Sequence, residues 1–130
     1  MTLSKATPLS PIRVVCEPRY SNEHSLPDDL RYVYIYHITI HNESQQPAQL
    51  LSRYWKITDA DGGVQEVKGD GVIGEQPLIK PKQPYEYESF CVLTTPLGWM
   101  EGHYNMIDEH GQAFEAPIPR FQLQVPGILQ

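Results

Sequence analysis

The segment Gly69-Asp70-Gly71-Val72-Ile73-Gly74 is the first place in this chain where residue types and spacing suggest chemistry. It fits the G-x-G-x-x-G expression, in which glycines let the backbone turn tightly and a following helix N-terminus holds a pyrophosphate. That chemistry needs the helix. Gly74 is followed by Glu75-Gln76-Pro77, which does not open one, so a dinucleotide-binding unit is excluded. Two readings remain. Backbone N–H groups around Gly69, Gly71 and Gly74 can form an anion nest for pyrophosphate or a nucleotide polyphosphate. Lys68 and Lys80 would then supply positive charge against Asp70 and Glu75. Alternatively, the glycines only provide positive φ in a loop between strands.

Five histidines raise metal binding. His37 and His41 share a face of one strand, but four residues at ~3.3 Å each hold them about 13 Å apart. They cannot ligate one ion unaided, and His103 is the residue that would approach one of them across a sheet. His110 lies in a turn with Asp108 and Glu109, where three polar groups can hold a cation weakly. Turn chemistry accounts for the same residues. No HExxH, cysteine-rich or EF-hand pattern is present.

Nucleophilic catalysis has no support, because there is no G-x-S-x-G elbow and Cys91 sits between Phe90 and Val92 in a strand-like run. Glu86 and Glu88 share a strand face, as outward charges ordinarily do. Neither a catalytic set nor a cofactor is expected. The aromatic neighbourhoods Tyr85-Tyr87 and Trp99-Met100 would form a partner surface wherever they are exposed, with Trp99 the foremost candidate.

These residues must be positioned by strands. Twelve prolines and nine glycines in 130 residues suit short strands and turns rather than helices. Arg31–Asn42 alternates cleanly, with Tyr34, Tyr36, Ile38 and Ile40 on one face. Further strands are predicted at Ile12–Glu17, Gln49–Thr58, Val64–Val67, Tyr85–Leu93, Trp99–Ile107 and Gln112–Val125. Pro18 confines the first to an edge, and Pro117 and Pro119 bend the last. In the Gln49–Thr58 strand, Leu51, Arg53, Trp55 and Ile57 are predicted to share a face. Asp59-Ala60-Asp61-Gly62-Gly63 and Asp108-Glu109-His110-Gly111 read as hairpin turns. No window carries an amphipathic helical stripe. Seven or eight short strands predict an all-β, immunoglobulin-like or fibronectin type III-like antiparallel sandwich, with Trp55 and Tyr104 as core anchors. Residues 1–10 read as a flexible tail, 11–126 as one domain and 127–130 as a C-terminal tail.

The formal net charge of −6 and a pI near 5.2 leave no basic stripe for nucleic acid. Cys16 and Cys91 form no CxxC, and two thiols suit a reduced compartment. The N-terminus carries no apolar signal run and no stretch is long enough to span a membrane. A cytoplasmic protein without membrane insertion is expected.

Taken together, Leu50-Leu51-Ser52-Arg53-Tyr54-Trp55, the glycine segment with Pro77-Leu78-Ile79-x-Pro81, Tyr85-x-Tyr87, Thr95-Pro96-Leu97-Gly98-x-Met100-x-Gly102-His103-Tyr104-x-Met106 and Pro119-x-Phe121-x-Leu123 resemble the bacterial ApaG family over about residues 10–126. One departure is visible: a glycine common in the family soon after the proline matching Pro81 is replaced by Lys82-Gln83. The resemblance implies the same sandwich, a link to cobalt resistance and magnesium efflux, and an association with a diadenosine-tetraphosphate hydrolase. It also implies a protein-interaction role, since the domain recurs in eukaryotic F-box and polymerase-interacting proteins. It brings no catalytic residues. The expected function is a non-enzymatic interaction module with an unidentified protein partner. The alternatives are a phosphate-containing small-molecule ligand at the glycine loop, or direct divalent-metal binding.

Overall fold

Alternation along the chain becomes burial along the strands. The computed structural model describes residues 10–127. The expected tails therefore lie, apart from Ser10 and Gly127, outside the described residues. The order is β1 (Ile12–Tyr20), β2 (Tyr32–Asn42), β3 (Ala48–Asp59), β4 (Val64–Asp70), β5 (Leu78–Ile79), β6 (Tyr85–Leu93), β7 (Leu97–Asp108) and β8 (Ala113–Gln124), with one 3-10 turn at Pro27–Asp29. All strand pairings are antiparallel. β1-β2-β6 make a three-stranded sheet. β4-β3-β7-β8 make the larger one, with β5 adding to β3 beyond the end of β4.

Tyr34, Tyr36, Ile38 and Ile40 of β2 face the other sheet and are buried, as are Trp55, Met100, Tyr104 and Leu123 across the interior. Each such side chain contributes about 1.5–3 kcal/mol by leaving water. Tyr36, Trp55 and Phe121 form an edge-to-face cluster with ring centroids 5.4 to 6.2 Å apart. The Tyr34 hydroxyl donates to Pro96 O at 2.9 Å, tying β2 to the β6–β7 connection. Both thiols are free, and burial pushes each up to about 12.

β5 is not among the expected strands, and three others differ from expectation. β1 continues through Pro18, which lies opposite Tyr36, to Tyr20. An edge strand has a side that needs no N–H, so the proline is tolerated there. In β3 the register slips between Leu50 and Ser52. That bulge adds one residue and reverses the face, so Leu50, not Leu51, joins Trp55 and Ile57 in the core. β4 runs on to Asp70, so Gly69 and Asp70 belong to a strand and only the chain beyond them forms a turn. A second bulge, between Met100 and Gly102 of β7, takes up Pro119 and Arg120 of β8.

Candidate functional site

The glycine segment is held to the edge of β3. Gly69 and Asp70 pair with Arg53 and Ser52. The Gly71 N–H then donates to Leu51 O at 2.8 Å. Val72 and Glu75 exchange two hydrogen bonds, N–H to O at 2.8 and 2.9 Å, around Ile73 (φ 42°) and Gly74 (φ 80°). Two central residues at positive φ are what a type I′ turn requires. The chain rejoins β3 where the Leu50 N–H donates to Pro77 O at 3.0 Å. The amides of Gly71, Val72 and Glu75 are thus bonded within the chain. Those of Ile73 and Gly74 stand at the exposed tip. The cation that serves this segment is internal: Arg53 Nη1 donates to Asp70 O and Gly71 O at 3.1 and 2.8 Å.

Lys68 does not reach the turn in this arrangement. Its ammonium lies 6.0 Å above the Tyr54 ring, on the outer face of the large sheet. There it borders a shallow depression of about 680 Å³ that also takes in Ser52, Glu66, Asp70 and His103. Lys80, exposed beyond β5, does not line that depression. The two lysines and three glycines therefore do not converge on one point.

The histidines are separated too. His103 stacks on Tyr54, with centroids 5.1 Å apart and Nε2 3.6 Å from Glu115. His37 lies on the small sheet with Nε2 2.7 Å from Glu86, and the two His residues face away from each other on opposite sheets. Asp108 Oδ1 accepts the N–H groups of His110 (2.8 Å) and Gln112 (2.9 Å), closing the β7–β8 turn. Those hydrogen bonds, that from Gln112 foremost, hold its carboxyl below the usual range. Among the described residues no group of three or more His, Cys, Asp or Glu is arranged to hold a metal ion.

Of the aromatic candidates, Trp99 is half-buried with the Arg120 guanidinium 5.1 Å above its ring. Tyr85 is half-buried and its hydroxyl donates to Glu75 at 3.0 Å, joining β6 to the glycine turn. Tyr87 belongs to the core: it points inward, and its hydroxyl meets that of buried Tyr104 at 2.5 Å. It offers no surface to a partner.

The surface that stands out lies on the same strand, one face over. Phe90 is 63 % exposed, on the outer face of β6 beside Ile35 and Val33 of β2. β6 is also the last strand of its sheet. Among the described residues no backbone group beyond β2 bonds to it. The other sheet edges carry interruptions: Pro18 in β1, Pro117 and Pro119 in β8, and the charged, glycine-ended β4. β6 pairs with β2 over nine residues without a register shift and contains no Pro, Lys or bulge. Such an edge is open to an added strand. The signal was present in the sequence, since strict alternation from Tyr85 puts Phe90 on the face of Glu86 and Glu88.

A two-sheet antiparallel sandwich, with an open edge and no converging catalytic or metal-ligating group among the described residues, defines the class. The chain belongs to the ApaG family: residues 22–108 match the ApaG domain. It is 54 % identical over 118 residues to Protein ApaG of Azotobacter vinelandii, covering 91 % of this chain and 94 % of that one. It is 51 % identical over 121 residues to Protein ApaG of Shewanella piezotolerans, covering 93 % and 96 %. The crystal structure of a protein from Bordetella pertussis described as a putative ApaA protein superposes with a TM-score of 0.87 at 45 % identity, covering 92 % of this chain and 99 % of that one. No helix among the described residues is long and apolar enough to cross a membrane.

Proposed function

We propose that this chain is a non-enzymatic interaction module that docks a protein partner along the free edge of β6. The observation that carries the reading is the uninterrupted edge Tyr85–Leu93 with Phe90 exposed beside it. A large exposed aromatic next to strand amides that no described backbone group beyond β2 takes supplies both the apolar anchor and the main-chain hydrogen bonds that strand addition uses. Any influence on cobalt or magnesium handling then runs through the partner rather than through an ion bound here. The test compares captures from the native cell extract by the wild-type chain, Phe90→Asp and the control Lys56→Asp on the opposite sheet. A partner retained by wild type and Lys56→Asp but lost with Phe90→Asp supports the reading. Equal capture by all three places the docking surface elsewhere.

A further inference from the structure

The outer face of the β6 edge has a charge order. Glu86 and Glu88 occupy its first half, with side chains 59 % and 47 % exposed. Phe90 and Val92 occupy the second half. Beyond Val92 stand Arg31, just before β2 begins, and His24 in the β1–β2 connection. With Val33, Ile35 and Phe90 they line an apolar cavity of about 250 Å³. Arg31 is exposed, and its guanidinium makes no ion pair with any described residue. Arg19, by contrast, is engaged by Glu88 at 3.1 Å. Read along β6 the surface is thus acidic, then apolar, then cationic.

A strand added to β6 would meet these groups in turn. Residues opposite each other on one face of an antiparallel pair have Cβ atoms about 4.5–5.5 Å apart. A side chain opposite Phe90 therefore packs directly on its ring. A side chain opposite Val92 is two strand spacings from β2, about 10 Å, within the joint reach of a glutamate and Arg31. Antiparallel pairing is the stronger and commoner ladder. A second copy of β6 fits poorly, since it brings no Lys or Arg to meet Glu86 and Glu88.

Resting on the docking edge proposed above, we infer that the partner is an extended segment pairing antiparallel with β6. It carries, in chain order on one face, a carboxylate for Arg31, an aliphatic side chain for Phe90 and a cation for Glu88. The pattern is acid-x-aliphatic-x-base. Order along the strand, not net charge, sets the selectivity.

The experiment uses the full ¹⁵N-labelled chain and three blocked peptides. The matched probe is acetyl-Thr-Glu-Thr-Leu-Thr-Lys-Thr-amide. The order-swapped probe has the same composition with Glu and Lys exchanged. The third is the matched sequence methylated on the amides that would face β6. The expected result is that the matched peptide shifts the amides of Tyr85–Leu93 and binds about fivefold tighter than the swapped one, the worth of two cross-strand charge pairs. The methylated peptide should leave these amides unmoved, and Arg31→Glu should erase the preference for order. If matched and swapped peptides bind equally at β6, or the swapped one binds tighter, the inferred partner chemistry is overturned and the docking edge stands. If no peptide moves the β6 amides, both fall.

Discussion

The Arg53 guanidinium lies where a side chain on Gly69 would be: a Cβ there would sit 2.8 Å from Arg53 Cζ. The three glycines of the segment therefore have three different physical reasons. Gly69 makes room for Arg53. Gly71 has φ +60°, and a Cβ on it would approach Glu75 O to 2.1 Å. Gly74 has φ +80° but open space around it. Alanine substitutions should rank accordingly. Gly71→Ala is expected to destabilise by about 3 kcal/mol or more, because backbone must move. Gly69→Ala should cost about 1–2 kcal/mol, by displacing a side chain and its hydrogen bonds. Gly74→Ala should cost about 1 kcal/mol, the left-handed penalty alone. Urea unfolding measures all three. An equal loss at the three positions would contradict this account.

Lys82 stands at φ +63°, in the turn closed by the Gln83 N–H on Lys80 O at 3.2 Å. The left-handed region costs a residue with a Cβ roughly 1–2 kcal/mol, offset in part by the greater unfolded-state freedom of glycine. Lys82→Gly should raise stability by about 0.5–1 kcal/mol, read as a higher denaturation midpoint at unchanged slope. A lower midpoint would show that the lysine side chain itself holds the turn.

The Tyr87 and Tyr104 hydroxyls satisfy one another inside the core. Burial raises both above the ordinary tyrosine range, so the pair stays neutral at any physiological pH. Removing one hydroxyl leaves the other buried without its partner, at about 1–3 kcal/mol. Tyr87→Phe and Tyr104→Phe should each destabilise, and the double variant should cost clearly less than the sum. Additive losses in a double-mutant cycle would mean that the two hydroxyls are not coupled.

His37 is bonded to Glu86 and, at 3.4 Å, to Glu88. The Glu86 hydrogen bond foremost raises its pKa above the ordinary 6.5. A raised pKa means that the charged pair supports the fold fully below about 6.5 and that this support fades as pH climbs through the folded-state value. An NMR titration of the ring should therefore show a midpoint above 6.5, falling toward it in Glu86→Gln. A wild-type midpoint at or below 6.5 would remove the pair from any pH-dependent role.

Much of this molecule is legible in its residues one at a time. Period-2 alternation from Tyr34 to Ile40 reports a half-buried strand directly, because successive side chains of a strand point to opposite faces. Prolines and Asp-Gly turns likewise punctuate the sandwich, and the lack of a helix after Gly74 removes dinucleotide chemistry. The family follows from long motifs of the same kind. What sequence could not assign depends on which strand lies beside which. The slip at Leu51 exchanges the faces of β3, and only the register against β7 reveals it. Three glycines read as one loop in the sequence, but the space beside Gly69 is filled by Arg53, sixteen positions earlier, and that neighbour appears only when β3 and β4 are paired. Tyr87 and Phe90 lie three residues apart on one strand, yet one is core and the other surface. That assignment follows from parity, but its consequence does not. β6 is open because it is the last strand of its sheet, and sheet order is fixed by long-range pairing that no local pattern encodes.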